Sequence, residues 1–488
     1  MKYITSSPFI VFCLILLSAI LRVLYINSTD LGGDECFSLF MSQYNLGKIN
    51  EVLKTGDNPP FWEFFLHFWC KIFGRTELAI RIPSFIFNVL TIVPIYLIGK
   101  TISNKRVGFF ASLFFIFSSF SLFISHEARV YSFVGLIATL SFFSFFKFFK
   151  EENKLKHLLL LTIYNSILFY SHYISILVIV TQFLSFFIFN DRLKVNLRWY
   201  FIHILFWIIL ILPFTPVLYD RLFDSGVNGT WVSKVTGIND LYFLFLTFFN
   251  KPIIVVLFLA VIFYSFFLFL FKKDKFQNKQ KWMLHFWIWF PLTLSFVVSF
   301  EVSFFLNRYL YFLLPILFLS FSHLLNLISF KIKLLNLFLP VLVTLFMALT
   351  FRLDSSKMEY SGHHFQTSTI VKEMVKHLKD KNTIVLVCPY WYEKEIMYYF
   401  DKKIFFSNKK INKLDTVFYN DLKNNRIYMV GRFNEISIPK EINKVVYVDN
   451  NCNFHYQNNM IEEYLKTELI FQSKYQIQSN NISVFKVK

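Results

Sequence analysis

The sequence predicts an all-α polytopic membrane protein of about eleven transmembrane helices that ends in a small α/β domain. Three observations lead there. Hydrophobic residues make up 55% of the 488 positions and aromatic residues 21%, with a mean hydropathy of +0.49, well beyond what a soluble core needs. Apolar runs of span length recur through roughly the first 350 positions, and about 20 helical residues at about 1.5 Å each match a hydrocarbon layer of roughly 30 Å. Beyond residue 354 the apolar runs shrink to strand length and alternate with amphipathic, helix-like segments.

The spans fall at roughly 8–26, 81–99, 107–124, 130–147, 157–170, 173–189, 199–218, 252–271, 282–299, 308–327 and 334–352. The net charge of +19 lies between them. The stretches KTISNKR, KFFKEENKLK, DRLKVNLR, KKDKFQNKQK and FKIK are all basic, whereas SHEAR, YSHY and EVSFFLNR on the alternate side hold only two arginines. The positive-inside rule therefore expects a cytoplasmic N-terminus, and an odd number of spans puts the C-terminus outside. A charge spread over membrane loops gives no support to nucleic-acid binding. No small-x-small cleavage site follows the first apolar run, so it is expected to remain as a span.

Residues 1–353 are expected to form the transmembrane domain and 354–488 a soluble domain on the outer side. The first outer segment, residues 27–80, carries apolar residues at helical spacing in DECFSLFMSQYNLG and PPFWEFFLHFWCKIFG, with Pro59 and Pro60 suited to opening the second helix. These helices are expected to lie along the interface, as is the shorter segment at 220–250. In the C-terminal part TIVLVCP, KIFFS, NRIYMVG and KVVYVD read as strands, separated by the helix-like STIVKEMVKHLKD, YWYEKEIMYYF and NMIEEYLKTEL, which suggests a mainly parallel sheet. No glycine-rich phosphate loop follows any of these strands. The five cysteines show no CxxC pair, which disfavours structural zinc; Cys388 and Cys452 could pair.

Ionisable residues in or beside spans are candidates for function, and here they collect on the outer face: Asp34 and Glu35; Asp57 and Asn58; His126, Glu127, Arg129 and Tyr131; His172 and Tyr173; Arg308 and Tyr309. Taken singly each has an ordinary explanation: a solvated cap, a hairpin ion pair, an interfacial histidine, or an arginine reaching the headgroups. The aromatic row FWEFFLHFW reads as packing surface. Together they suit a lipid phosphate whose tail stays in the bilayer. Arg129 and Arg308 can each donate paired hydrogen bonds to phosphate oxygens, and a carboxylate can act as base. A sugar phosphate leaves as a stable anion, so cationic stabilisation can replace the general acid that a glycosidase needs.

GDECFSLF, the stretch DNPPFWEFFLHFWCKIFGRTELAIRIPSFIFNVLTIVPIYLIGK, ISHEARVYSFVGLIATLSFF, SILFYSHYISILVIVTQ and NRYLYFLLPILFL resemble bacterial glycosyltransferase family 39, relatives of protein O-mannosyltransferases and of the aminoarabinose transferases of lipid A. That resemblance implies a GT-C fold in the bacterial cytoplasmic membrane, an outward-facing active site, a polyprenyl-phosphate-linked sugar as donor, and inversion at the anomeric carbon. It implies Asp34 as catalytic base with Glu35 in support, Arg129 on the donor phosphate oriented by Glu127, and Arg308 with Tyr309 as a second phosphate or sugar contact. Tyr131 and His172 match further elements. The acceptor would be a protein, lipid A or a cell-surface polymer.

Many family members carry His-Pro-Pro where this chain has Asn58-Pro59-Pro60. Asparagine cannot titrate, though it can hydrogen-bond a sugar, and Asp57 gains interest as its neighbour. No metal ligand is assigned. A divalent cation stays open, because Asp34, Glu35, Asp57 and His172 could form a hard-cation site, but their spacing does not demand one. The alternatives are a lipid-linked glycan flippase or transporter, disfavoured by the lack of an internal repeat and by charges at span ends, and an O-antigen polymerase or ligase, disfavoured by the first-loop Asp-Glu and the soluble tail.

Overall fold

The computed structural model describes residues 7–54, 58–150, 154–189, 193–220, 232–271, 279–328, 335–354, 366–407, 409, 411, 416–456, 459–477 and 480–488. Asp57, residues 151–153, 190–192, 272–278 and 329–334 in or beside the basic stretches, and DSGVNGT lie outside them. Two compact units emerge. The first comprises Met1–Ile26, Gly47–Phe65 and Arg81–Met358, and the second Asn27–Leu46, Leu66–Ile80 and Glu359–Lys488. The division differs from the expected boundary near residue 354, because parts of the first outer segment pack with the C-terminal residues.

In chain order the helices up to residue 350 are α1 (Ser7–Val23), α2 (Gly33–Met41), α3 (Leu46–Leu53), α4 (Phe61–Phe73), α5 (Glu77–Leu90), α6 (Ile92–Ile102), α7 (Lys105–Ile116), α8 (Ser119–His126), α9 (Tyr131–Lys150), α10 (Lys154–Ser171), α11 (Ile176–Phe189), α12 (Leu193–Ile211), α13 (Ile238–Phe249), α14 (Pro252–Phe271), α15 (Lys279–Val298), α16 (Leu314–Leu327) and α17 (Leu335–Thr350). Every expected span has a helix, but not every helix is of span length. Among the described residues four are long and apolar enough to cross a membrane, namely Glu77–Ile102, Tyr131–Phe149, Asn196–Asp220 and Lys281–Val298. Two bent pairs, α7 with α8 at 61° and α13 with α14 at 108°, bring the number to as many as 6. The other expected positions hold α10 and four apolar helices of 10–17 residues.

The two bends lock to each other. Asn250 takes φ 66°, a left-handed conformation that asparagine tolerates better than most residues. Its side chain accepts the Ser119 amide at 2.8 Å and donates to the Phe117 carbonyl at 2.8 Å, satisfying backbone groups that the first break frees. Ser118 Oγ donates to the Phe248 carbonyl at 3.1 Å. Broken helices are tolerated in apolar surroundings only where the freed groups find such partners. At the α6–α7 turn a Cβ on Gly99 would stand 2.5 Å from the Gly108 backbone, so only glycine permits this approach.

A fully buried guanidinium ties the middle of the first unit. Arg22 Nε donates to Asn88 Oδ1 at 2.6 Å, Nη1 to the Ile116 carbonyl at 3.3 Å, and Nη2 to the Phe115 carbonyl at 3.1 Å and Ser121 Oγ at 3.0 Å. Asn88 Nδ2 donates in turn to the Tyr311 hydroxyl at 2.7 Å and the Ser121 carbonyl at 2.9 Å. One charge thereby joins α1, α5, α7, α8 and the turn before α16. A second, neutral ring joins α9, α10 and α11: Ser141 Oγ to Asn165 Oδ1 at 2.6 Å, Asn165 Nδ2 to Gln182 Oε1 at 2.9 Å, and Gln182 Nε2 to Ser141 Oγ at 2.8 Å.

The second unit continues with α18 (Thr367–Leu378), β1 (Thr383–Cys388), α19 (Glu393–Phe400), α20 (Lys402–Phe405), α21 (Tyr419–Asn424), β2 (Ile427–Met429), β3 (Lys444–Asp449), α22 (Cys452–His455), α23 (Ile461–Glu468), β4 (Ile470–Ile477) and β5 (Asn480–Lys486). The sheet order is β2-β1-β3-β5-β4, with β1 parallel to both β2 and β3, and β5 antiparallel to both β3 and β4. The mainly parallel expectation thus holds for half the pairings. KIFFS, read as a strand, is helix α20 because Asp401 caps it, accepting from the Lys403 and Ile404 amides at 2.8 and 3.1 Å. The β4–β5 hairpin was not expected, since β4 is largely exposed and lacks the apolar run of a buried strand. Cys388 and Cys452 form a disulfide with Cα atoms 5.7 Å apart, joining the end of β1 to the start of α22.

Asn88→Ala should destabilise the first unit by about 2 kcal/mol or more, because it leaves a buried guanidinium nitrogen without its acceptor. Thermal unfolding in detergent measures it, and an unchanged midpoint would contradict the role given to Arg22.

Candidate functional site

Chain turns held from several sides position the polar side chains of the first unit. After α8 the backbone bends through Glu127, Ala128 and Arg129, with the Arg129 amide donating to the Glu127 carbonyl at 2.7 Å. Trp62 Nε1 donates to the Ala128 carbonyl at 3.1 Å, and Ser84 Oγ to the Arg129 carbonyl at 3.1 Å. His126 Nε2 donates to the Arg22 carbonyl at 2.7 Å, so this histidine serves the turn and not the chemistry. Glu127 is half-buried, whereas Arg129 is buried with its Nη1 3.7 Å from Glu63 Oε1.

Beside this turn stands a box of aromatic and cationic groups. The rings of Tyr131 and Tyr309 are 6.1 Å apart, and the His172 ring stands 5.8 Å from the first and 5.0 Å from the second. The Arg308 guanidinium lies 5.9 Å from the Tyr131 centroid and 6.0 Å from that of Tyr309, a cation–π distance. The charges acting on the His172 ring are those of Arg129 and Arg308. Its Nδ1 accepts the Ile174 amide at 3.3 Å, which places the ring proton on Nε2. That buried Nε2 has no hydrogen-bond partner among the described residues. A buried donor that feels the charge of two arginines suits an anionic or hydroxyl oxygen.

The second unit holds the Gly-Gly-Asp-Glu turn. Glu35 is buried and Oε2 accepts the Gly32 amide at 3.0 Å, which caps α2. Asp34, in the same helical turn, is exposed. The two carboxylates therefore divide, one structural and one open to solvent. Residues of the C-terminal domain grip the turn: the Ser368 amide donates to Asp30 Oδ2 at 2.6 Å, and the Leu31 amide to the Tyr399 hydroxyl at 2.7 Å. A Cβ on Gly33 would lie 2.5 Å from Glu395 Oε1, which shows how close this buried carboxyl comes to the turn.

Five of the expected residues, Arg129, Tyr131, His172, Arg308 and Tyr309, thus come together in the first unit, and Asp34 and Glu35 in the second. Asn58 is half-buried before α4, and Asp57 lies outside the described residues. Among the described residues no three His, Cys, Asp or Glu side chains gather as a metal-holding group. Two acids escaped the sequence reading. Glu63 is buried in FWEFF, where an acid inside an apolar helix was itself a signal. Glu395 gave none, because an acid in YWYEKEIMYYF reads as a solvated helix face.

The family described as dolichyl-phosphate-mannose-protein mannosyltransferase matches residues 57–219. No curated protein matches the chain. Among solved structures, ArnT from Cupriavidus metallidurans bound to undecaprenyl phosphate aligns with a TM-score of 0.59 and 10% identity, covering 99% of this chain and 98% of that one. The apo form of the same transferase gives 0.57 and 12%, covering 97% of each chain. The archaeal oligosaccharyltransferase AglB from Archaeoglobus fulgidus, in complex with an inhibitory peptide and a dolichol-phosphate, gives 0.53 and 12%, with 97% of this chain and 73% of that one covered.

Glu63→Gln should destabilise the protein by about 3 kcal/mol, because it leaves the Arg129 charge buried without its carboxylate. A denaturation midpoint matching the wild type would show that the pair is not structurally important.

Proposed function

We propose, from a fold that is the GT-C fold, that this chain is an integral-membrane inverting glycosyltransferase of the bacterial cytoplasmic membrane. It moves a sugar from a polyprenyl-phosphate donor to a hydroxyl or phosphate acceptor on the outer face, on protein, lipid A or a cell-surface polymer. The observation that carries the reading is the cluster of Tyr131, Tyr309 and Arg308 around a His172 whose Nε2 is buried and on which the charges of Arg129 and Arg308 act. The match of residues 57–219 to the mannosyltransferase family supports it.

In this mechanism Arg129 and Arg308 hold the donor phosphate by charge-assisted hydrogen bonds, and Nε2 of His172 gives a further donor. Glu63 and Glu127 orient Arg129. Tyr131 and Tyr309 line the sugar-phosphate, with Asn58 and Asp57 as sugar contacts. For a hydroxyl acceptor, the exposed Asp34 carboxylate takes the proton as the oxygen attacks the anomeric carbon. The carbon–oxygen bond to phosphate breaks, its electron pair stays with the phosphate oxygen, and polyprenyl phosphate departs from the opposite face. Negative charge grows on the phosphate during this step, so the arginines stabilise the transition state more than the ground state. Glu35 supports the base by fixing the helix start.

The Cys388–Cys452 disulfide supports an outer location for the C-terminal domain, because the bacterial cytosol keeps thiols reduced. In cells, these cysteines should resist thiol-specific labelling until a reductant is added; free thiols in the untreated protein would contradict the assigned side.

Asp34→Asn should lower turnover with a purified polyprenyl-phosphate sugar by at least about a hundredfold while donor binding persists. Near-normal turnover would refute the base assignment. Arg129→Ala should weaken donor binding by about tenfold or more, and a loss confined to acceptor affinity would refute its phosphate role.

A further inference from the structure

Glu395 belongs to the C-terminal domain, yet it is 2% exposed and meets the turn that carries Asp34. Its Oε2 is buried without a hydrogen-bond partner among the described residues. The neighbouring carboxyl, Glu393, is already committed, accepting the Val417 and Phe418 amides at 3.0 Å each and lying 3.3 Å from Lys394 Nζ. Among the described residues Glu395 has no such network. The charged and titratable groups facing it are Asp34 and Glu35 from α2, and Lys394 and Tyr392 from its own segment.

We propose that Glu395 is a positioning residue for Asp34, so that the C-terminal domain forms part of the scaffold of the catalytic base. This rests on the transferase reading above. The Glu395 carboxyl lies against Gly33, where a Cβ would come within 2.5 Å of Oε1, and so it stands beside the first turn of α2. Burial, and then the charges of Asp34 and Glu35, push the Glu395 carboxyl well above the usual carboxylate range, with Lys394 opposing. A neutral carboxyl can sit under Asp34 without repelling it and has an O–H to donate. An ionised one would place a third negative charge at the turn.

Through and above the usual carboxylate range the unfolded chain releases this proton while the fold retains it, so the group lowers stability progressively as pH rises towards its folded pKa. Glu395→Gln cannot ionise and escapes that loss.

The test compares full-length wild type, E395Q, E395A, D34N and D34N/E395Q in detergent. E395Q should melt above the wild type at pH 8, the gap should close near pH 4, and at pH 8 it should shrink in the D34N background, because Asp34 is one of the charges responsible. E395A should lower kcat by about tenfold to a hundredfold with the donor KM little changed, and E395Q should recover most of that loss. A gap independent of both pH and Asp34, or an E395A enzyme with wild-type kcat, would overturn the proposal. So would an E395Q enzyme no better than E395A. A wild type without transfer activity would instead defeat the transferase reading, and the melting comparison would still decide whether Glu395 and Asp34 are coupled.

Discussion

A guanidinium buried in an apolar helical bundle must have its donors satisfied, and the way Arg22 satisfies them arranges much of the first unit. Its partners lie on α5, α7 and α8, and through Asn88 the network reaches Tyr311. Two motifs are thereby anchored by one residue and free to work through another. In SHEARVY, His126 holds the Arg22 carbonyl while Arg129, after the turn, faces Glu63. In NRYLY, Tyr311 holds Asn88 while Arg308 lies over the tyrosines. Leaving such a charge unsatisfied would be strongly destabilising, and that penalty keeps both turns in place.

What the sequence made legible follows from the range of the physics involved. Hydrophobicity over a window is additive along the chain, so a helix could be read at each expected span position, although among the described residues only four helices, or six with the bent pairs, are long and apolar enough to cross a membrane. Whether a span is straight depends on tertiary partners, and the 61° and 108° bends rest on Asn250 reaching Phe117 and Ser119 from another helix. The cluster of Arg129, Tyr131, His172, Arg308 and Tyr309 was legible because polar residues at span ends are rare enough to be conspicuous. How the Asp-Glu pair divides was not legible, because it depends on the helix start: the Glu35 side chain is occupied at the Gly32 amide, and Asp34 alone of the pair is exposed. Glu395 was invisible, because nothing local distinguishes a buried acid on an amphipathic helix from a solvated one.

The second unit changes how the soluble domain is understood. An appended domain would be expected to have its own core and a loose attachment. Its core does exist, around β1, β3 and β5. Yet Asp30, Leu31 and Gly33 of the first outer segment are bound by Ser368, Tyr399 and Glu395. The segment that carries the proposed base thus folds against the C-terminal residues, and under the proposed mechanism this gives the domain a structural part in it.

The central claim is that Arg129, Arg308 and His172 form the seat of a lipid phosphate. A structure of the purified protein with a bound polyprenyl phosphate tests it most directly. The account predicts phosphate oxygens within hydrogen-bonding distance of both guanidinium groups and of His172 Nε2, with the tail leaving toward lipid. A phosphate bound elsewhere, with this box unchanged and unoccupied at saturating ligand, would contradict it.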